Sequence, residues 1–276
     1  MIIKSITPGD LRQMLWLELA LDGHTALVSD ESWRCGYHTG YTACGRFGYN
    51  IAFAERYDAG DPNVFFYKPD FDDSAFGCAK ENRYPQWQLV KQTTKQLEVY
   101  EIDPEAVEKR PFGLYIALPT EAAGNLIFTA KGNPGDIVTI RCGEELNEDG
   151  SVRYEMRCNC CYEEQWILSG RTDTLNQFDY KAFRYVELLF SQDIQIQDIH
   201  FTLRYYPYSK EEIHQRLATL YPQDPDLTKI LNLCADTILY GMQENFVDCP
   251  TREKGQYLGD VSIAARSHAV LTGDTT

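Results

Sequence analysis

Over its first hundred residues the chain alternates short apolar or aromatic runs with turn signals. The runs include HTALVSD, GRFGYNIAFAERYDAGDPN, VFFYKPDFDDSAFGCA, WQLVKQTT and KQLEVYEID. This pattern predicts strands joined by long loops, as in a β-sandwich. HTALVSDESW reads as the middle of such a sandwich, as though the domain began before Met1. The charged, Pro-bounded EIDPEAVEKRP predicts a linker. A second set of strands is expected at Leu114–Leu118, Leu126–Ala130, Ile137–Cys142, Glu164–Leu168, Gln177–Tyr180, Tyr185–Phe190 and Ile194–Tyr205, with turns at GNPGD and NEDGS.

After about Ser209 the period changes. Leu227, Ile230, Leu231, Cys234, Ile238, Leu239 and Met242 recur at helical spacing, with Asp224 placed to cap and Pro225 in the first turn. DVSIAARSHAVLTGD predicts a second, shorter helix ending at Gly273. The expected fold is mainly β: a first β-sandwich over 1–103, a second over 104–208, and a helical region over 209–276. Two helices with apolar faces make no core alone and must pack on something else.

Composition narrows the partners. A formal charge of −15, from 41 acidic and 26 basic residues, argues against nucleic acid and suits a neutral ligand such as a sugar. Eighteen Tyr, thirteen Phe and four Trp favour β-structure and surfaces that stack on rings. Nine cysteines, with Cys158, Cys160 and Cys161 crowded into RCNCCYEE and no partner at zinc-finger spacing, are expected as reduced, packed thiols. The N-terminal MIIKSITPGDLRQMLWLELAL lacks the layout of a signal peptide, and no apolar window approaches the ~20 residues of a membrane span. A cytoplasmic, membrane-free protein is the expectation.

Between the two predicted helices stands FVDCPTREKGQYLGD, which places Asp248, Arg252, Glu253 and Asp260 around a Cys-Pro break. Spacing alone favours a solvated connection, with Asp248 or Thr251 capping and Glu253 in a first helical turn. The stretch also resembles the catalytic-site motif of bacterial α-L-rhamnosidases, glycoside hydrolase family 78. GEELNEDGSVRYEMR, YEEQWILSG and FDYKAFRYVEL are similar to the β-sandwich that precedes the helical barrel in that family, and FAERYDAG and FDDSAFGCA to the sandwich before it. The resemblance runs from about Trp33 to the end.

It implies several β-sandwiches followed by an (α/α)6 barrel, of which this chain supplies the first two helices. It also implies inverting hydrolysis of an L-rhamnose-containing oligosaccharide or glycoside. Glu253 is then the general acid, and Asp248, Arg252 and Asp260 bind the sugar. The commoner family motif sets its acid one place later, where this chain has Lys254; a shorter variant sets Glu directly after Arg, as here. Inverting hydrolysis needs two carboxyls about 6.5–9.5 Å apart. The family's base comes from a later barrel helix, so this chain alone is expected to be inactive. The alternative is a non-catalytic carbohydrate-binding or accessory β-sandwich protein.

Other groups read more plainly. Asp58, Asp61, Asp70, Asp72 and Asp73 suit turns; as hard oxygen ligands they also suit Ca²⁺, but not at EF-hand spacing, and no cofactor is expected. Glu144, Glu145, Glu148 and Asp149 fit a hairpin turn. Trp33, Trp87 and Trp166 read as core residues before sugar platforms, and His24, His38, His200, His214 and His268 lack consistent Cys or carboxylate partners as ligands. If the helices find no barrel to pack on, their apolar faces favour self-association.

Overall fold

The computed structural model describes residues 15–46, 53–81, 90–191, 193–220 and 222–275. Its strands, in chain order, are β1 (Glu18–Leu21), β2 (His24–Val28), β3 (Arg34–Cys35), β4 (Tyr41–Arg46), β5 (Phe53–Asp58), β6 (Gly77–Cys78), β7 (Glu98–Ile102), β8 (Ala106–Arg110), β9 (Gly113–Lys131), β10 (Ile137–Gly143), β11 (Glu163–Ile167), β12 (Thr172–Asn176), β13 (Lys181–Leu189) and β14 (Gln195–Tyr205). β1–β2 and β3–β6 form small two-stranded sheets; the others join one ladder ordered β4-β5-β11-β10-β13-β9-β14-β7, with β8 and β12 also on β9.

That ladder folds over on itself. The Phe128 ring on β9 lies 5.0 Å from that of Trp166 on β11, three strands away. In a flat sheet that separation is about 14 Å, at ~4.8 Å per strand. β9 turns the corner: Leu118 to Glu121 oppose Arg184 alone in the pairing with β13, and Pro119, lacking an N–H, sits in this bulge. Beyond it Leu126, Phe128 and Ala130 point into the core and Asn125, Ile127 and Thr129 away from it, the period of two that a half-buried strand requires. Phe183 of β13 meets Phe201 of β14 edge-on at 4.9 Å in the same core.

Several expectations change here. Leu114–Leu118 and Leu126–Ala130 are one 19-residue strand, not two. Gln177–Tyr180 is a turn, because the Glu55 carboxylate takes the Phe178 and Asp179 N–H groups at 2.9 and 2.8 Å, in place of a neighbouring strand. EIDPEAVEKRP is no linker: it falls on β7 and β8, whose charged side chains occupy exposed faces of ladder strands. β4 and β5 join the same ladder through a parallel pairing of β5 with β11, so it runs across the 103/104 division.

Three helices follow, α1 (Lys210–Leu220), α2 (Pro225–Gly241) and α3 (Leu258–Thr272), one more than expected. α1 buries only Ile213 and Leu217, one turn apart, which gives it little periodic signal. Asp224 accepts the Leu227 N–H at 3.0 Å to cap α2, and Gly273 closes α3 at φ 74°, a left-handed conformation that glycine adopts without strain. Ile213 and Leu217 pack on Ala235 and Leu239 in a core of their own. No described helix is long and apolar enough to cross a membrane, which says nothing about strands. All nine cysteines are free thiols.

Candidate active site

The segment after α2 is tied to the sandwich before any chemistry begins. Gln243 is buried and accepts from Arg204 Nε of β14 at 2.8 Å. Asp248 then closes a loop on itself: its N–H donates to the Gly255 carbonyl, and its Oδ1 accepts the Gly255 N–H, both at 2.8 Å. Within this loop Thr251 Oγ1 donates to Glu144, and the Tyr162 hydroxyl donates to the Thr251 carbonyl. Lys254, at φ 53°, turns away from its neighbours; its ammonium lies 3.0 Å from Asp179 and 4.1 Å from the centre of the Tyr180 ring. The loop is thus held by Glu144 just after β10, Tyr162 just before β11 and the β12–β13 turn.

Of the four residues singled out, Asp248, Arg252 and Glu253 come together. Arg252 Nη2 lies 3.0 Å from Glu253 Oε2, and one ligand atom from each of Asp248, Cys249 and Glu253 falls within 4.8 Å of the others. Asp260 stands apart in the first turn of α3, exposed, near enough that its charge is felt at Glu253. A hydrogen bond with Asp248 raises the Glu253 carboxyl pKa, burial adds to the rise, and Arg252 opposes it. Burial pushes Asp248 the other way from its net shift: hydrogen bonds from Glu253, Gly255 and Cys249 outweigh it and hold Asp248 below the usual carboxyl range. The two carboxyls are thus shifted in opposite directions, Glu253 up and Asp248 down. Tyr257, just before α3, is 46% exposed, and the neighbouring Asp248 carboxylate does more than burial to raise Glu253.

A cavity of about 360 Å³ opens beside the loop, lined by Glu144, Arg153, Arg157, Cys158, Cys160 and Arg252 among others. Its floor was not legible as a site. The run Glu144–Asp149 does form a hairpin turn, with the Asn147 N–H bonded to the Ser151 carbonyl at 2.8 Å, but Glu144 also grips Thr251. Tyr162 carried no signal at all.

The remaining groups are structural where the structure describes them. Asp58, Asp61 and Asp72 accept backbone N–H groups two residues on, and Asp73 lies 3.6 Å from Arg34. Trp166 is in the core, Trp33 donates to the Val28 carbonyl at 2.9 Å, and Trp87 lies outside the described residues. His214 does have a carboxylate partner, Asp236, at 2.8 Å across α1 and α2.

Residues 115–202 match the family model described as the bacterial alpha-L-rhamnosidase concanavalin-like domain. A curated alpha-L-rhamnosidase of Streptomyces avermitilis is 22% identical over 232 residues, covering 80% of this chain and 22% of its own length. Among solved structures, the alpha-L-rhamnosidase from Dictyoglumus thermophilum superposes with a TM-score of 0.67 at 22% identity, over 89% of this chain and 27% of its own. The Streptomyces avermitilis alpha-L-rhamnosidase complexed with L-rhamnose gives 0.62 at 21%, over 91% and 24%. The native enzyme from Aspergillus terreus gives 0.63 at 18%, over 87% and 27%. The chain therefore spans about a quarter of the length of the proteins it resembles. By its motifs, its mainly β fold with three C-terminal helices and these likenesses, the chain is bacterial α-L-rhamnosidase-like.

Proposed function

We propose that this chain contributes the sugar-binding and acid half of an inverting α-L-rhamnosidase-like glycoside hydrolase. The observation that carries the proposal is the cluster of Asp248, Arg252 and Glu253. Carboxylate oxygens of Asp248 and Glu253 lie within 4.8 Å of each other, Arg252 lies 3.0 Å from Glu253, and the Glu253 pKa is shifted up while that of Asp248 is shifted down. Glu253 protonates the glycosidic oxygen as the bond to the sugar breaks. Asp248 and Asp260 accept hydrogen bonds from sugar hydroxyls, and Arg252 orients Glu253 from 3.0 Å. The base that activates water comes from further helices of a barrel, so this chain alone does not turn over. Ile230, Leu233, Ile263 and Val270 support that reading: they leave an apolar face on α2 and α3 exposed, which further helices or a second copy of the chain would cover. The substrate is an L-rhamnose-containing glycoside met in the cytoplasm.

The test is hydrolysis of p-nitrophenyl α-L-rhamnoside by this chain and by the chain extended through any coding sequence that continues past Thr276. Turnover by the extended form alone is the expected result. If both forms are inert, the catalytic reading fails.

A further inference from the structure

Thiols and guanidiniums meet in the cavity beside the loop, where Cys158, Cys160 and Cys249 share the lining with Arg153, Arg157 and Arg252. The three thiols differ in access. Cys160 is buried and Cys249 half-buried, with its Sγ donating to Asp248 Oδ2 at 3.3 Å. Burial raises both, Cys160 to about 12, so they stay protonated at neutral pH. Cys158 is exposed. It and Asn159 adopt left-handed backbone, at φ 58° and 57°, a conformation that Asn bears more readily than Cys. This turn keeps an exposed thiol in the cavity wall. The charges around it are unequal. Arg153 pairs with Glu145 at 2.5 Å and Arg252 with Glu253 at 3.0 Å, while Glu144 accepts from Thr251. Arg157, next to Cys158 in the chain, is exposed and has no ion-pair partner among the described residues. Arg252 lies close enough to feel a charge on Cys158.

A reachable thiol flanked by guanidiniums reacts as its thiolate. In a chain of formal charge −15, an unpaired cation beside that thiol favours an anionic reagent that the rest of the surface repels. The cavity, of about 360 Å³, lies within the roughly 300–1,000 Å³ of small-molecule sites. We propose that Cys158 is a modification site that exchanges with a small disulfide bearing carboxylates. The Cys158 thiolate attacks one sulfur of the disulfide, whose S–S bond breaks as a new one forms to Cys158 Sγ. The departing thiolate takes up the proton that Cys158 released, and the disulfide is the oxidant. A carboxylate of the attached half pairs with Arg157. That half fills the cavity beside Arg252 and keeps a sugar from the loop, a consequence that rests on the functional reading above.

The test exposes the whole folded chain to oxidised glutathione, which is anionic, or to bis(2-hydroxyethyl) disulfide, which is neutral, and locates the adducts by peptide mass spectrometry. The readout at each cysteine is the rate with the anionic reagent divided by the rate with the neutral one. At Cys158 this ratio should exceed that at Cys234, an exposed thiol on α2, by at least about threefold, as a surface charge pair implies. Arg157→Gln should remove most of that preference. Arg157 is exposed and unpaired, so its replacement does not endanger the fold. A ratio at Cys158 no higher than at Cys234 overturns the proposal, as does a preference unmoved by Arg157→Gln or adducts that fall on Cys160 or Cys249 in place of Cys158. The measurement needs no turnover. An extended chain that is inert on rhamnoside, in which Cys158 still forms the adduct with this preference, refutes the functional reading and upholds the modification site.

Discussion

Lys181 is the most consequential charge in the sandwich, and replacing it with Met tests the account of how the loop is held. Its side chain is 1% exposed and its ammonium lies 2.9 Å from Glu164, itself 4% exposed. Burial disfavours the ammonium, but Glu164, Glu55 and Asp179 outweigh that and keep it charged. Around this pair Glu164 accepts the Glu55 N–H at 3.0 Å and Gln177 Nε2 at 2.6 Å, while Glu55 holds the Phe178 and Asp179 N–H groups. Removing the cation strands a buried carboxylate, which costs about 3–5 kcal/mol. Glu164 keeps two donors in the variant, so the low end applies, about 3 kcal/mol, or a fall in Tm of roughly 6–12 °C at ~2–4 °C per kcal/mol.

The assay is urea unfolding followed by circular dichroism, with the slope m unchanged. Adding Glu164→Gln should recover part of the loss, because the stranded charge is gone. pH gives a second check. In Lys181→Met the Glu164 carboxyl, already raised by burial, binds its proton more tightly folded than unfolded. The deficit relative to the parent is therefore smallest below the ordinary carboxyl value of 4.5 and grows as pH rises through the folded-state value. A loss under about 1 kcal/mol, or a double variant no better than the single, refutes this reasoning.

Three further outcomes follow from the same structure. In an active, extended form Glu253→Gln should lower turnover by about 10²–10⁴-fold for poor leaving groups and less for good ones; near-normal activity on poor leaving groups would unseat Glu253 as the acid. A ¹³C NMR titration of the Glu253 carboxyl should show a midpoint above the ordinary 4.5, and Asp248→Asn should bring it down, since the neighbouring charge and its hydrogen bond sustain the rise. An unmoved midpoint dissolves the pairing. Gly124→Ala should destabilise by about 3 kcal/mol or more, because a Cβ there meets the Thr202 carbonyl oxygen at 1.9 Å where β9 runs beside β14; thermal unfolding within a few degrees of the parent would contradict it.

What the sequence determined by itself was local. Asp224 with Pro225 marked the start of α2 and Gly273 the end of α3, because caps and left-handed turns depend on the residues at hand. Strand runs such as Ile137–Cys142 were legible from their β-branched pattern, close to the observed Ile137–Gly143. The motif around Cys249-Pro250 was legible too, as a resemblance and not as geometry.

Tertiary structure decided the rest. β9 is one strand because its bulge at Leu118–Glu121 is absorbed by a partner more than sixty residues away, which no local pattern reveals. Gln177–Tyr180 is a turn because Glu55, distant in sequence, captures its N–H groups. Charged β7 and β8 looked like a linker because exposed ladder strands carry no apolar alternation to betray them. At the loop the residue types were visible, but the direction of each carboxyl was not. Glu253 is shifted up chiefly by Asp248, and Asp248 down by Glu253, Gly255 and Cys249, in a loop that Glu144, Tyr162, Asp179 and Tyr180 hold in place. Proton affinity is set by neighbours in space, and those neighbours come from the folded sandwich.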